Sequence, residues 1–169
     1  MRDNYWLETK MEALWAKYFS DVTRLNRIHI HFGRKAKRRL ASIRQLSGNN
    51  KYSDTSIQVT GFYRNQQVPE YVVDLTIAHE LCHYAHGFAS PLPQFSRFPH
   101  KGDIVDDELR RRGLGKALKM QEAWLKENWN TIVGETVFKA PKKKKRYAHQ
   151  PGLSLSRLIF KIGSAIMKF

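Results

Sequence analysis

Residues 77–87 read IAHELCHYAHG, which sets His79, Glu80, His83 and His86 within eight positions of a run that is otherwise largely apolar. On a helix, residues four apart leave the same face one turn from each other, so the imidazoles of His79 and His83 can converge on a single divalent cation. Glu80 stands beside the first of them, where a carboxylate can take a proton from water activated by the metal and pass it to a leaving amine. Histidine, glutamate and histidine in this H-E-x-x-H spacing are the arrangement of zinc metallopeptidases. A hydrolytic zinc needs a third protein ligand and an open position. His86 is nearest but sits where the helix should end, and three ligands along one straight helix cannot wrap a tetrahedron. His100 follows a proline-rich loop long enough to swing it back over the helix, and Glu108 on the next helical stretch is its rival. Ligand geometry favours His100. Cys82 lies between the two histidines on another face and reads as a small buried apolar residue.

The helix that must carry these groups is well marked. Pro69 suits a first turn, Glu70 and Asp74 complement the positive end of the dipole, and Gly87 after His86 is a stop signal. Val72, Val73, Leu75, Ile77 and Ala78 give it an apolar approach to the motif. Before it, residues 4–25 repeat apolar side chains at threes and fours, which predicts an amphipathic helix. RIHIHF (27–32) alternates as a half-buried strand with His29 and His31 on its polar face. The stretch 33–63 contains a turn cluster, SGNNKYSD, and predicts a hairpin with strands near 38–46 and 56–62. The segment 88–100 holds three prolines and reads as loop. Two helical pieces follow residue 102, broken near Gly113 and Gly115.

The chain has 169 residues, 41% of them hydrophobic and four of them tryptophan, enough for one domain with a real core. A single cysteine excludes an internal disulfide and a cysteine-rich zinc ribbon, and it favours a reducing compartment, the cytoplasm. The charged N-terminus shows no signal-peptide core, and no stretch is long and apolar enough to predict a spanning helix. The net charge of +15 points to polyanions as partners, nucleic acid or an anionic membrane face. Within the body, Arg34, Lys35, Lys37, Arg38, Arg39 and Arg44 form a cluster that could meet phosphates, or else guard a sheet edge.

YVVDLTIAHELCHYAHG followed by PHKGDIVDDELRRRGLG resembles the SprT-like metallopeptidase domain, and more loosely the compact zincin group. The likeness runs from about Arg27 to Leu114. It implies an α+β fold in which a small antiparallel sheet packs on the motif helix with flanking helices. It also implies a zinc ion held by His79, His83 and His100, with Glu80 as general base. Several members of that family act on proteins attached to DNA, so a zinc peptidase acting on DNA-associated proteins is the expectation. A basic nucleic-acid-binding module with a structural or inactive zinc site is the alternative.

The expected organisation is a zincin-like domain over 1–140, a basic linker over 141–152 and an amphipathic basic helix over 153–169. PKKKKR (141–146) resembles a nuclear import signal and would act as one only in a eukaryote. The last segment places Leu155, Leu158, Ile159, Ile162 and Ile166 on one face, and Arg157, Lys161 and Lys168 opposite. That pattern suits docking on the domain, an anionic membrane surface or a partner.

Overall fold

Asp3 starts the first helix, α1 (Asn4–Tyr18), by accepting a hydrogen bond from the backbone N–H of Trp6 at 2.8 Å. Leu7, Met11 and Leu14 form its buried stripe. The helix stops at Tyr18 rather than near residue 25. Its last carbonyl is captured by the guanidinium of Arg112, which also binds both carboxylate oxygens of Asp21. The apolar spacing of Val22 and Leu25 continues the helical rhythm, but a tertiary arginine takes over the backbone first. This computed structural model describes residues 1–46, 52–96 and 102–134. His100, the linker over 141–152 and the helix over 153–169 lie outside the described residues.

Three short strands follow: β1 (Ile28–Phe32), β2 (Ala41–Gln45) and β3 (Thr55–Val59). Their spatial order is β1-β3-β2. The expected hairpin is present, with β2 antiparallel to β3 and Ile43 opposite Ile57. The all-antiparallel sheet is not: β1 runs parallel to β3, with Ile30 opposite Ile57. The connection 33–40 carries the chain past the central position to the far edge, and β3 then inserts between the two earlier strands. Alternation of apolar and polar residues is the same in both kinds of pairing, so the sequence pattern does not distinguish them. The stretch after β3 does not stay extended to residue 62. Gly61–Arg64 form a 3-10 turn capped by Thr60.

One sheet face presents Ile28, Ile30, Phe32, Ala41, Ile57 and Val59 to the core. The motif helix, α2 (Glu70–Ala85), packs against β2 and α1, and against two later helices, α3 (Ile104–Arg111) and α4 (Gly115–Ile132). Because it is surrounded, eleven of its sixteen residues are buried, and it is apolar on almost every side. Each fully buried leucine, isoleucine or valine in this core contributes about 1.5–3 kcal/mol of transfer free energy. A buried polar seam holds α2 to α4. Gln121 donates to the Val72 carbonyl (2.8 Å) and to the Thr76 hydroxyl (2.9 Å), which in turn meets the Tyr63 hydroxyl (3.1 Å). The described residues thus form a mixed α+β domain of four helices and one three-stranded sheet.

Candidate metal centre

The end of α2 fixes where the motif side chains stand. His86 is the C-cap, and Gly87 follows at φ 75°. The N–H of Phe88 bonds to the His83 carbonyl (2.9 Å) and that of Gly87 to the Tyr84 carbonyl (3.0 Å), the paired bonds of a Schellman ending. Glycine is required twice over here. The backbone is left-handed, and a Cβ would stand 2.3 Å from the Pro93 carbonyl oxygen. Loop 86–96 therefore folds flush against the helix end. Thr55 holds it further by donating to the Ala89 carbonyl (2.7 Å), at a residue whose own φ is 54°.

One turn before that ending, the rings of His79 and His83 face each other. Their Nε2 atoms are 3.2 Å apart and their planes are 75° from parallel. In this state one Nε2–H donates to the other Nε2. A tetrahedral zinc with Zn–N of about 2.0–2.1 Å would hold two nitrogens roughly 3.3 Å apart, so the pair already stands at chelating separation. His83 is 1% exposed, with the ring of Phe88 at 5.8 Å. Glu80 is 2% exposed, and its Oε2 has no hydrogen-bond partner among the described residues. Burial pushes its carboxyl up to about 8, against the opposing pull of the Arg39 guanidinium. A buried carboxyl oxygen left without a partner, on the residue that follows His79, is a group that a bound hydrated cation could satisfy. By separation and donor type, His79 and His83 fit two of the positions around a zinc ion.

The rivals for the third position are engaged elsewhere. Glu108 is 4% exposed and bound by Arg111 and by Arg112 Nε (2.8 Å), with His86 Nε2 facing it at 3.7 Å. The His86 ring stacks on Phe95 at 5.3 Å. Among the described residues no group of three His, Cys, Asp or Glu is placed to hold a metal. Cys82 is buried and unbridged, and its thiol pKa is pushed up by desolvation. Tyr84 ties α2 to the segment before β1: its hydroxyl donates to Asn26 Oδ1 (2.8 Å) and accepts from the Leu25 N–H (3.2 Å).

Sequence reasoning missed two contributors. Phe88 against His83 follows from the helix ending and was foreshadowed only by Gly87. Arg39 was one of a basic cluster, and its proximity to Glu80 arises because β2, which it precedes, is the strand that packs on α2. No protein-family model, curated protein or solved structure matches this chain. No helix among the described residues is long and apolar enough to cross a membrane.

Proposed function

We propose that the chain is a zinc-dependent metallopeptidase of the SprT-like kind. The observation that carries the reading is the convergence of His79 and His83 at 3.2 Å beside the buried, unpartnered Oε2 of Glu80. His79 and His83 would hold the ion with His100 as third ligand. Zinc bound there supplies Lewis acidity, lowering the pKa of water to about 7 and polarising a peptide carbonyl. Glu80 does the proton work. Its Oε2 takes a proton from the attacking water and delivers it to the leaving amine. Glu80 and His83 are buried, with the Phe88 ring against His83, which limits the water around the proton transfer. Proteins associated with DNA are the proposed substrates, and the cytoplasm is the proposed compartment.

The test is Glu80→Gln, which preserves size and removes the base. Metal analysis should find the parent's zinc content, and cleavage of an unfolded protein such as casein should fall by about 100-fold or more. A variant that cleaves as fast as the parent removes Glu80 from the mechanism.

One observation favours the second reading, a basic nucleic-acid-binding module with a structural or inactive zinc site. The exposed arginines and lysines of residues 34–39 have no role in the metal centre beyond Arg39. Zinc spectroscopy separates the readings, since a structural ion is closed by four protein ligands and a catalytic one keeps an open position.

A further inference from the structure

Between Asp21 and Asp54 the chain has nine Lys or Arg and no Asp or Glu. The centre of that stretch, the connection 33–40 between β1 and β2, is not a loose loop. Its backbone is clamped along its length. The Gly33 N–H donates to the Val59 carbonyl (2.7 Å), and the Arg34 carbonyl accepts from the Gly61 N–H (3.0 Å). The Ala36 N–H donates to the Thr60 hydroxyl (3.1 Å), which donates back to the Ala36 carbonyl (3.0 Å). The Lys37 carbonyl accepts from the Trp129 indole (2.8 Å), and the Leu40 carbonyl from the Thr60 N–H (2.8 Å). Gly61 allows this closeness, because a Cβ there would lie 2.7 Å from the Gly33 carbonyl oxygen.

The clamped backbone displays Arg34, Lys35, Lys37, Arg38 and Arg39 to solvent. Arg34, Lys35, Arg38 and Arg39 form no ion pair with a carboxylate among the described residues. Several cations elsewhere on the domain are neutralised: Lys10 by Glu70 and Asp74, Arg24 by Glu12, Arg110 by Asp107, Arg112 by Asp21 and Glu108. Crowding like charges on a rigid segment costs stability, and that cost is offset when a polyanion arrives. Rigidity also removes the ordering entropy that binding would otherwise require. Exposed Arg44 on β2 and exposed Arg27 before β1 carry the positive surface on beyond the loop. No large apolar side chain is exposed within residues 33–45, so the connection itself lacks the groups that would enter a bilayer.

We infer that the clamped connection 33–40 is a preorganised binding site for the phosphodiester backbone of nucleic acid, beside the metal centre. Its position at the peptidase site has meaning only on the reading proposed above: polypeptide would then be cut next to bound nucleic acid. The binding itself does not depend on that reading.

The experiment uses the full chain carrying Glu80→Gln, so that no cleavage intervenes. Its affinity for a duplex DNA of about 20 base pairs is followed against salt, where each neutralised phosphate contributes about −0.9 to the slope of log K on log salt. Replacing Arg34, Lys35 and Arg38 together with glutamine should flatten the slope by about 2–3 and weaken binding at 0.1 M salt by about tenfold or more. An unchanged circular dichroism spectrum would show that the fold survives. The matched variant with Lys142, Lys143, Lys144 and Lys145 changed to glutamine should retain the loop's share of the slope. The inference is overturned if the loop variant keeps the parent's slope, or if the parent does not bind DNA. It is equally overturned if the loop variant loses only retention on phosphatidylserine vesicles. Failure of the peptidase reading would show instead as absence of cleavage by the unmodified chain, with these slopes unaffected.

Discussion

Gly87 sets the position of everything downstream of the motif. Gly87→Ala would force a Cβ into a left-handed backbone and against the Pro93 carbonyl oxygen at 2.3 Å. Guanidinium chloride unfolding should show a loss of about 2 kcal/mol or more, since the left-handed conformation alone costs a non-glycine residue about 1–2 kcal/mol. A loss within about 0.5 kcal/mol, the range of neutral surface changes, would mean that the loop relaxes away. At this scale the sequence was informative where chemistry depends on local spacing. His79 and His83 at i and i+4 must share a face, and the Gly87 stop was visible. It was uninformative where a partner comes from afar. That Arg39 lies near Glu80, and that His86 faces Glu108 at 3.7 Å, depend on how β2 and α3 pack on α2.

Two seams join the elements, and each makes a prediction. Gln121 bridges α4 to α2, so Gln121→Ala removes two buried hydrogen bonds, while the Val72 carbonyl keeps the Thr76 hydroxyl as a donor and that hydroxyl keeps Tyr63. Denaturation should register a loss of about 1–3 kcal/mol, at about 0.5–1.5 kcal/mol for each hydrogen bond lost. No measurable loss would mean that water replaces the amide. The second seam joins the end of α1 to the end of α3 through Asp21 and Arg112. The side-chain hydrogen bond from Arg112 holds the Asp21 carboxyl below its ordinary value. Its stabilisation is therefore present above the unfolded-state value of about 4 and fades as pH falls through the depressed folded value. Asp21 is 68% exposed, so solvent screening limits its worth to below about 1 kcal/mol. Asp21→Asn should show that small deficit at pH 7, and the gap from the parent should close in acid. A gap that persists at pH 2 would assign the effect to packing rather than charge. Helices were more legible than the sheet at this scale. Pro69 and Gly87 bracket α2, and Gly113 and Gly115 separate α3 from α4, because caps and breakers are local. The parallel pairing of β1 with β3 was not legible, because two strands of identical alternation pair either way round until the connection between them is known.

For the molecule as a whole, the helix that carries His79 and His83 and the basic connection adjoin. α2 packs against β2, whose preceding residues 34–39 are the exposed cationic stretch. Both features are visible in the sequence, a histidine pair at i and i+4 and a charge of +15, but that they adjoin is not. Their adjacency comes from the strand order, which sends the basic connection to the sheet edge nearest the motif helix. A fold that binds zinc should also be stabilised by it, since an ion that binds only the folded state shifts unfolding by mass action. Chelation should accordingly lower the melting temperature of the parent and leave a chain with His79 and His83 both changed to alanine unmoved. An equal fall in both would mean that the chelator acts on something other than this pair.

The most direct test of the central claim is the zinc content of the purified full chain after supply of the metal, measured for the parent and for His79→Ala, His83→Ala and His100→Ala. The account predicts one zinc per chain in the parent and a fall to about a tenth or less in each variant after dialysis, as expected when a ligand of a three-residue site is removed. A parent without zinc, or a chain that keeps its zinc when His79 and His83 are both replaced, would contradict it.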